Sequence, residues 1–169
     1  MIKIQLLSLL AQLRMAKLKL CPFSKLPLCS ANCSVLFKLI IETLGGAFGI
    51  VKSDIQGNIT KIKARYDLDP ATSSTLMDIV NAEKKDSKKS ATEALLWLKR
   101  GLQFTSLALR QNVDSKEELS VSFTAAYGKT LGKFHSFLIR PVFSVAMNAC
   151  PTRSAFYKNL AGTESEEKV

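Results

Sequence analysis

Apolar and polar positions repeat along this chain with the period of helices. Between residues 91 and 112, Ala94, Leu95, Leu98, Leu102 and Leu109 recur at the spacing of one helix face, in the longest apolar segment of the sequence. Residues 71–83 repeat the pattern with Leu76, Met77, Ile79 and Val80 directed inward. Residues 1–20, 32–44, 54–66, 115–133, 135–150 and 152–161 each read as a further helix. The two-residue alternation of a half-buried strand is absent, so the predicted class is all-α, with helices stacked as two packed layers or a bundle.

Local signals set the expected boundaries. Pro22 and Pro27 open a loop rich in Cys, Ser and Pro. Asn32 and Ser53 are candidate N-caps, and Gly45–Gly46 ends the helix over 32–44. Asp69–Pro70 opens a turn, and the run EKKDSKK over 83–89 reads as a solvated loop. Ser90 and Glu93 have the spacing of a capping box. Pro141 is expected to kink the helix over 135–150 and Pro151 to stop it. The tail over 162–169 reads as frayed. Gly57 lies inside a helix, where it costs about 1 kcal/mol relative to alanine, and such a glycine implies the close approach of another element or of a ligand.

Composition narrows the function. A chain of 169 residues with 47% hydrophobic content is one domain with an ample core. The net charge of +10 favours anionic partners. That charge is uneven: Lys3, Arg14, Lys17, Lys19, Lys25 and Lys38 all precede the first acid, Glu42, so residues 1–34 form a basic, acid-free segment. That segment reads as a membrane-surface helix, a targeting sequence or the first core helix, retained rather than cleaved. No apolar run reaches the ~18 residues of a membrane span. Cys21, Cys29, Cys33 and Cys150 match no zinc spacing and read as free thiols, so neither a metal nor a cofactor is expected. Nucleophile–base pairs, metal clusters and phosphate loops are unrecognisable, so catalysis is not expected. Nucleic acid, which the net charge alone suggests, is not the expected partner, because aromatic interleaving and helix-turn-helix spacing are both missing.

The chemistry concentrates in a few positions. On a helix, Asp54, Asn58 and Lys61 stand at i, i+4 and i+7, so a carboxylate, an amide and an ammonium share one stripe. Such a row suits a ligand rich in hydroxyls. Trp97 is the only tryptophan, a flat face with one donor that suits a sugar ring, and His135 is the only histidine. By themselves these residues better fit an ordinary solvated face, a core indole and a structural imidazole.

Three segments decide between those readings: VKSDIQGNITKIKARY (51–66), SATEALLWLKRGLQF (90–104) and AYGKTLGKFHSFLIRPVFSVAMNACP (126–151). Together they closely resemble the glycolipid transfer protein family, most of all the lipid-transfer domain of the four-phosphate-adaptor proteins. The resemblance covers about residues 35–161. It implies a two-layer helical sandwich that holds one glycosphingolipid, with the sugar at a surface polar site and the ceramide in an apolar cavity. It implies sugar-binding roles for Asp54, Asn58 and Lys61, sugar stacking on Trp97, and a hydrogen bond from His135 to the ceramide amide. An arginine stands at the Trp97 position in the ceramide-1-phosphate branch, so the indole favours a neutral headgroup and makes a ceramide-1-phosphate-type carrier the alternative. Glu93, one turn before Trp97, is a further candidate sugar contact. Candidates for the acyl cavity are Phe37, Leu44, Phe48, Ile50, Leu102, Phe104, Leu138, Phe143 and Met147. Phe137 stands where the family uses a tryptophan at the membrane surface, and Lys99, Arg100, Lys129, Lys133 and Arg140 are candidate bilayer-facing cations. Residues 1–34 depart from the family's usual first helix, and the chain is expected to lack the family's C-terminal helix. The expected protein is therefore a monomeric, cytoplasmic, non-enzymatic carrier that touches membranes transiently, or else a glycolipid sensor that binds without transfer.

Overall fold

A computed structural model describes residues 43–162. Phe37 and the helix expected over 1–20 lie outside the described residues, as does all but the end of the helix expected over 32–44. Six α-helices follow: α1 (Gly49–Leu68), α2 (Leu76–Glu83), α3 (Ser90–Ser115), α4 (Leu119–Lys129), α5 (Ile139–Asn148) and α6 (Arg153–Gly162). Short 3-10 turns precede α1 (Gly46–Phe48) and follow α4 (Leu131–Lys133). Among the described residues there is no strand, in accord with the all-α reading, and no helix is long and apolar enough to cross a membrane.

The 26-residue α3 organises the packing. At 1.5 Å per residue it runs about 39 Å, long enough to serve two cores. Its N-terminal half buries Ala91 and Ala94 against Ile62 of α1 and Ile79 of α2. Its C-terminal half joins Phe48, Leu119, Phe123, Met147 and Phe156 in the larger core through Phe104, Ala108 and Leu109. The alanines keep the backbones close, while the phenylalanine rings fill the gaps edge-on: Phe123 meets Phe48 at 6.3 Å and Phe104 at 5.6 Å between centroids. α3 thus packs against α1, α2 and α4, and α4 packs against α5.

Several boundaries differ from the sequence expectation, each for a local reason. α1 begins at Gly49, so Ser53 is an interior residue rather than a cap. The second helix begins at Leu76, not 71, because Thr75 and Asp78 form a capping box: the Thr75 hydroxyl accepts from the Asp78 N–H and the Asp78 carboxylate accepts from the Thr75 N–H. Met77 is consequently exposed rather than inward. Leu119 starts α4 because Lys116 takes the left-handed conformation that ends α3. Pro141 causes no kink: α5 starts at Ile139, so the proline lies in the first turn, where its missing N–H has no intrahelical acceptor to lose. Gly45, at φ +86°, takes a conformation only glycine adopts easily and separates Leu44 from the turn leading into α1. Pro151 falls between α5 and α6, as expected.

The largest departure is Glu83. It belongs to the run expected to be solvated, yet it is buried, and its carboxylate accepts from the N–H groups of Ala91 (2.8 Å) and Thr92 (2.7 Å). Glu83 replaces the expected Ser90–Glu93 box, for Lys89 is the residue at the N-cap and no side chain of α3 caps its own start. A carboxylate on two orphan N–H groups at the positive end of a helix dipole is favourable on both counts. Burial pushes the Glu83 carboxyl up, but the hydrogen bonds from Thr92 and Ala91, with the Arg65 guanidinium, outweigh it and hold it below its ordinary range. A depressed folded-state value stabilises the protein above the unfolded-state pKa and loses that contribution as pH falls through the folded value. Glu83→Gln is expected to cost about 2 kcal/mol of unfolding free energy at pH 7 and to narrow that gap on acidification toward pH 3. Urea melts at the two pH values check this; a gap that stays constant between them refutes the ionic cap.

Candidate functional site

Helix α1 supplies the polar stripe. Asp54 and Asn58 are one turn apart, and the buried Asn58 amide donates to the Asp54 carbonyl at 2.9 Å and to its carboxylate at 3.2 Å. Asn58 thereby fixes the orientation of an exposed carboxylate, which keeps acceptor capacity toward solvent. Lys61 continues the stripe on the exposed surface, one turn beyond.

Trp97 on α3 and His135, in the segment between the second 3-10 turn and α5, close the site from the other side. Their rings stack at 5.5 Å and 27°. Asp54, Trp97 and His135 line one depression, floored by Phe104, Leu131 and Phe143. The sequence places these three residues far apart; the packing of α3 on α1, with the turn after α4, brings them together.

His135 is held by several neighbours. Tyr127 Oη lies 3.0 Å from its Nδ1, Phe143 lies 4.5 Å from its ring, and Arg140 Nε donates to its carbonyl at 3.2 Å. Burial lowers its pKa; the Asp54 carboxylate opposes that, and Arg100 and Arg140 reinforce it, so the net shift is downward. The imidazole is therefore neutral at pH 7. The Tyr127 hydroxyl and Nδ1 share a hydrogen bond whose direction the tautomer sets: in the tautomer in which the hydroxyl donates, the ring proton stands on Nε2 as a donor. Burial in turn pushes the Tyr127 phenol up, so it too stays protonated.

Arg100, one turn after Trp97, stacks on both sides of this junction, 4.8 Å from the Trp97 ring centre and 3.7 Å from that of Phe134. Neither Tyr127 nor the stacking of Arg100 was visible in the sequence. The chain reverses at residues 131–133, so no helical spacing links Tyr127 to His135, and Arg100 reads as an ordinary surface cation.

The other candidate residues divide by location. Phe104 and Phe143 face the depression. Leu44, Phe48 and Met147 belong to the packed core, with Leu102 half-buried against it. Ile50 and Leu138 are not brought into the depression: they are 61% and 67% exposed. Ile50 precedes Val51 on α1 and is turned about 100° from it, while Leu138 lies just before α5. Glu93 is exposed one turn before Trp97 and does not line the depression. Phe137, 78% exposed, and Arg140 lie on the surface beside it. Cys150 is free and half-buried, its thiol pushed up to about 11 by burial, which makes it inert; the other cysteines lie outside the described residues.

An open acyl cavity was expected behind the polar site. The depression instead has about 30 Å³ of free space, room for one or two water molecules. Tyr127 stacks on Phe143 at 5.1 Å and 13°, and Phe104 meets Tyr127 edge-on at 6.3 Å. Rings that close on one another gain the dispersion contacts that an empty hollow forfeits.

Fold and site together define a helical domain with a polar mouth set against an aromatic interior. The chain belongs to the glycolipid transfer protein family: the family model described as "Glycolipid transfer protein (GLTP)" matches residues 27–162. It is 51% identical to a glycolipid transfer protein of Aureobasidium melanogenum over 128 residues, covering 75% of this chain and 64% of that protein. It is 41% identical to a glycolipid transfer protein of Danio rerio, covering 71% of this chain and 63% of that one. The chain thus spans slightly under two thirds of these relatives. Among solved structures, the fungal glycolipid transfer protein HET-C2 superposes with a TM-score of 0.71 at 41% identity, covering 80% of this chain and 72% of that one. The GLTP-fold structure of FAPP2, described as selecting simple glycosphingolipids, superposes with a TM-score of 0.70 at 36% identity, covering 77% of this chain and 64% of that one. Mouse ceramide-1-phosphate transfer protein, at 22% identity, shares the fold.

Proposed function

We propose that this protein binds a glycosphingolipid and carries it between membranes without covalent chemistry. The observation that supports this most is the convergence of Asp54, Trp97 and His135 on one depression over an aromatic floor. Asp54 accepts from sugar hydroxyls, the indole face packs on the ring, and Lys61 donates from the rim. The neutral His135 donates to the ceramide amide carbonyl. The ceramide chains enter by parting Phe104, Leu131 and Phe143. Burying alkyl chain at ~0.8 kcal/mol per CH₂ supplies most of the affinity, and the polar mouth supplies the choice of headgroup.

Membrane contact falls to the neighbouring surface. Phe134, Phe137 and Leu138 are 50%, 78% and 67% exposed, and no acid occurs from Leu119 to Gly162, where Lys129, Lys133 and Arg140 lie. Apolar tips among cations suit a bilayer interface on the cytoplasmic side. The protein acts there as a peripheral monomer.

Transfer of fluorescent galactosylceramide between vesicles tests the proposal. The full chain should move label to acceptor vesicles. Trp97→Arg should reduce that movement about tenfold with helical circular dichroism unchanged, while Trp97→Phe should keep most of it. Extraction of lipid without delivery identifies a glycolipid sensor instead, and failure to take up any lipid refutes both readings.

A further inference from the structure

The close approach expected at Gly57 is found instead at Gly132. A Cβ built at Gly57 meets nothing within 4 Å, whereas one at Gly132 would stand 3.0 Å from the Tyr127 carbonyl oxygen and 3.3 Å from Cε1 of its ring. Glycine therefore lets the turn over Leu131–Lys133 close flat against Tyr127. Main-chain bonds pin the reversal: the Phe134 and His135 N–H groups both donate to the Leu131 carbonyl, at 2.9 and 3.1 Å. The His135 ring thus returns to the tyrosine that the chain left eight residues earlier, with 5.7 Å between ring centroids.

His135 lines the depression and Tyr127 does not, so the tyrosine can reach a ligand only through the histidine. Its ring is held by Phe143, stacked at 5.1 Å, and by Phe104, edge-on at 6.3 Å. The hydroxyl therefore stands at a set place, 3.0 Å from Nδ1. Phenol is the better donor and imidazole the better acceptor, with ordinary pKa values of about 10 and about 6.5. The pair is thus most stable with the hydroxyl donating, and the bond made at one ring nitrogen decides that the proton stands on the other.

We propose that Tyr127 is a positioning residue for lipid recognition: through Nδ1 it fixes the tautomer and the angle of the His135 ring, so that Nε2–H donates to the amide carbonyl of the lipid. This rests on the glycolipid reading above. An imidazole without that bond turns and exchanges its proton between nitrogens, and binding then bears the cost of ordering it.

Tyr127→Phe removes the hydroxyl and keeps the ring contacts, so Tm should fall by no more than about 4 °C. Galactosylceramide uptake from vesicles should fall about fivefold. In a His135→Ala background, which still buries the alkyl chains, the same change should alter uptake less than about twofold. His135 is the only histidine, so nitrogen NMR of the chain carrying ¹⁵N-histidine reads one ring. The unaltered chain should show the proton on Nε2, and Tyr127→Phe should add the other tautomer. A proton on Nδ1 in the unaltered chain overturns the proposal whatever the variants do. So does an equal loss of uptake with and without His135, or uptake by Tyr127→Phe within twofold of the unaltered chain. If the unaltered chain takes up no galactosylceramide, the carrier reading falls and the binding role of Tyr127 falls with it.

Discussion

Phe123→Ala is expected to lower the unfolding free energy by about 3–5 kcal/mol, the largest stability loss of any change considered. The ring is 1% exposed and meets Phe48 and Phe104 edge-on at 81° and 87°. It therefore joins the residues before α1 to α3 and α4 at one point. Alanine removes the side chain and leaves a hollow that the long α3 cannot collapse to fill, because Ala108 and Ala126 already hold the backbones close. A loss of this size shifts Tm by roughly 10–20 °C. Thermal and chemical melts of the full chain measure it directly. A loss below about 1 kcal/mol contradicts the packing described for the larger core.

The same ring network reaches the site. Phe104 touches Phe123 on one side and Tyr127 on the other, Tyr127 stacks on Phe143, and Phe143 lies against His135. The aromatic interior beneath the site is thus continuous with the interior that holds the fold.

Asp54→Ala has the second large effect, on binding. It removes an exposed carboxylate that lines the depression and strips the Asn58 amide of one of its two partners. Losing a charge-assisted hydrogen bond costs about 1.5–3 kcal/mol, a ten- to hundredfold drop in affinity. Asn58 keeps its bond to the residue 54 carbonyl, so the melting temperature should change little. Vesicle-uptake titrations with galactosylceramide, paired with melts, separate the two effects. Binding within twofold of the unaltered chain contradicts the role assigned to the carboxylate.

Much of this was legible in the sequence because helical periodicity records which face is buried. α3 was plain from its leucines and alanines, and the Asp54–Asn58–Lys61 stripe follows from spacing alone. The resemblance in the segments around Asp54, Trp97 and His135 carried the rest of the site. What escaped depends on contacts across the chain. Glu83 reads as one more charge in a run, and only the fold shows it beneath the start of α3. Tyr127 and His135 meet because the backbone reverses between them. Pro141 looks like a kink until the helix is seen to begin two residues earlier. Ile50 is apolar and lies beside the lining residue Val51, but a one-residue step on a helix turns a side chain by about 100°, and burial is decided by that turn; Leu138 falls in the turn just before α5, where no helical period applies.

A crystal structure of the full chain with galactosylceramide tests the central claim most directly. The expected result is a sugar hydroxyl within hydrogen-bond distance of Asp54, the ring packed on Trp97, and an alkyl chain lying among Phe104, Tyr127 and Phe143, where Tyr127 now packs against both phenylalanines. A lipid bound elsewhere on the surface, with those rings still closed beneath an unengaged Asp54, contradicts it.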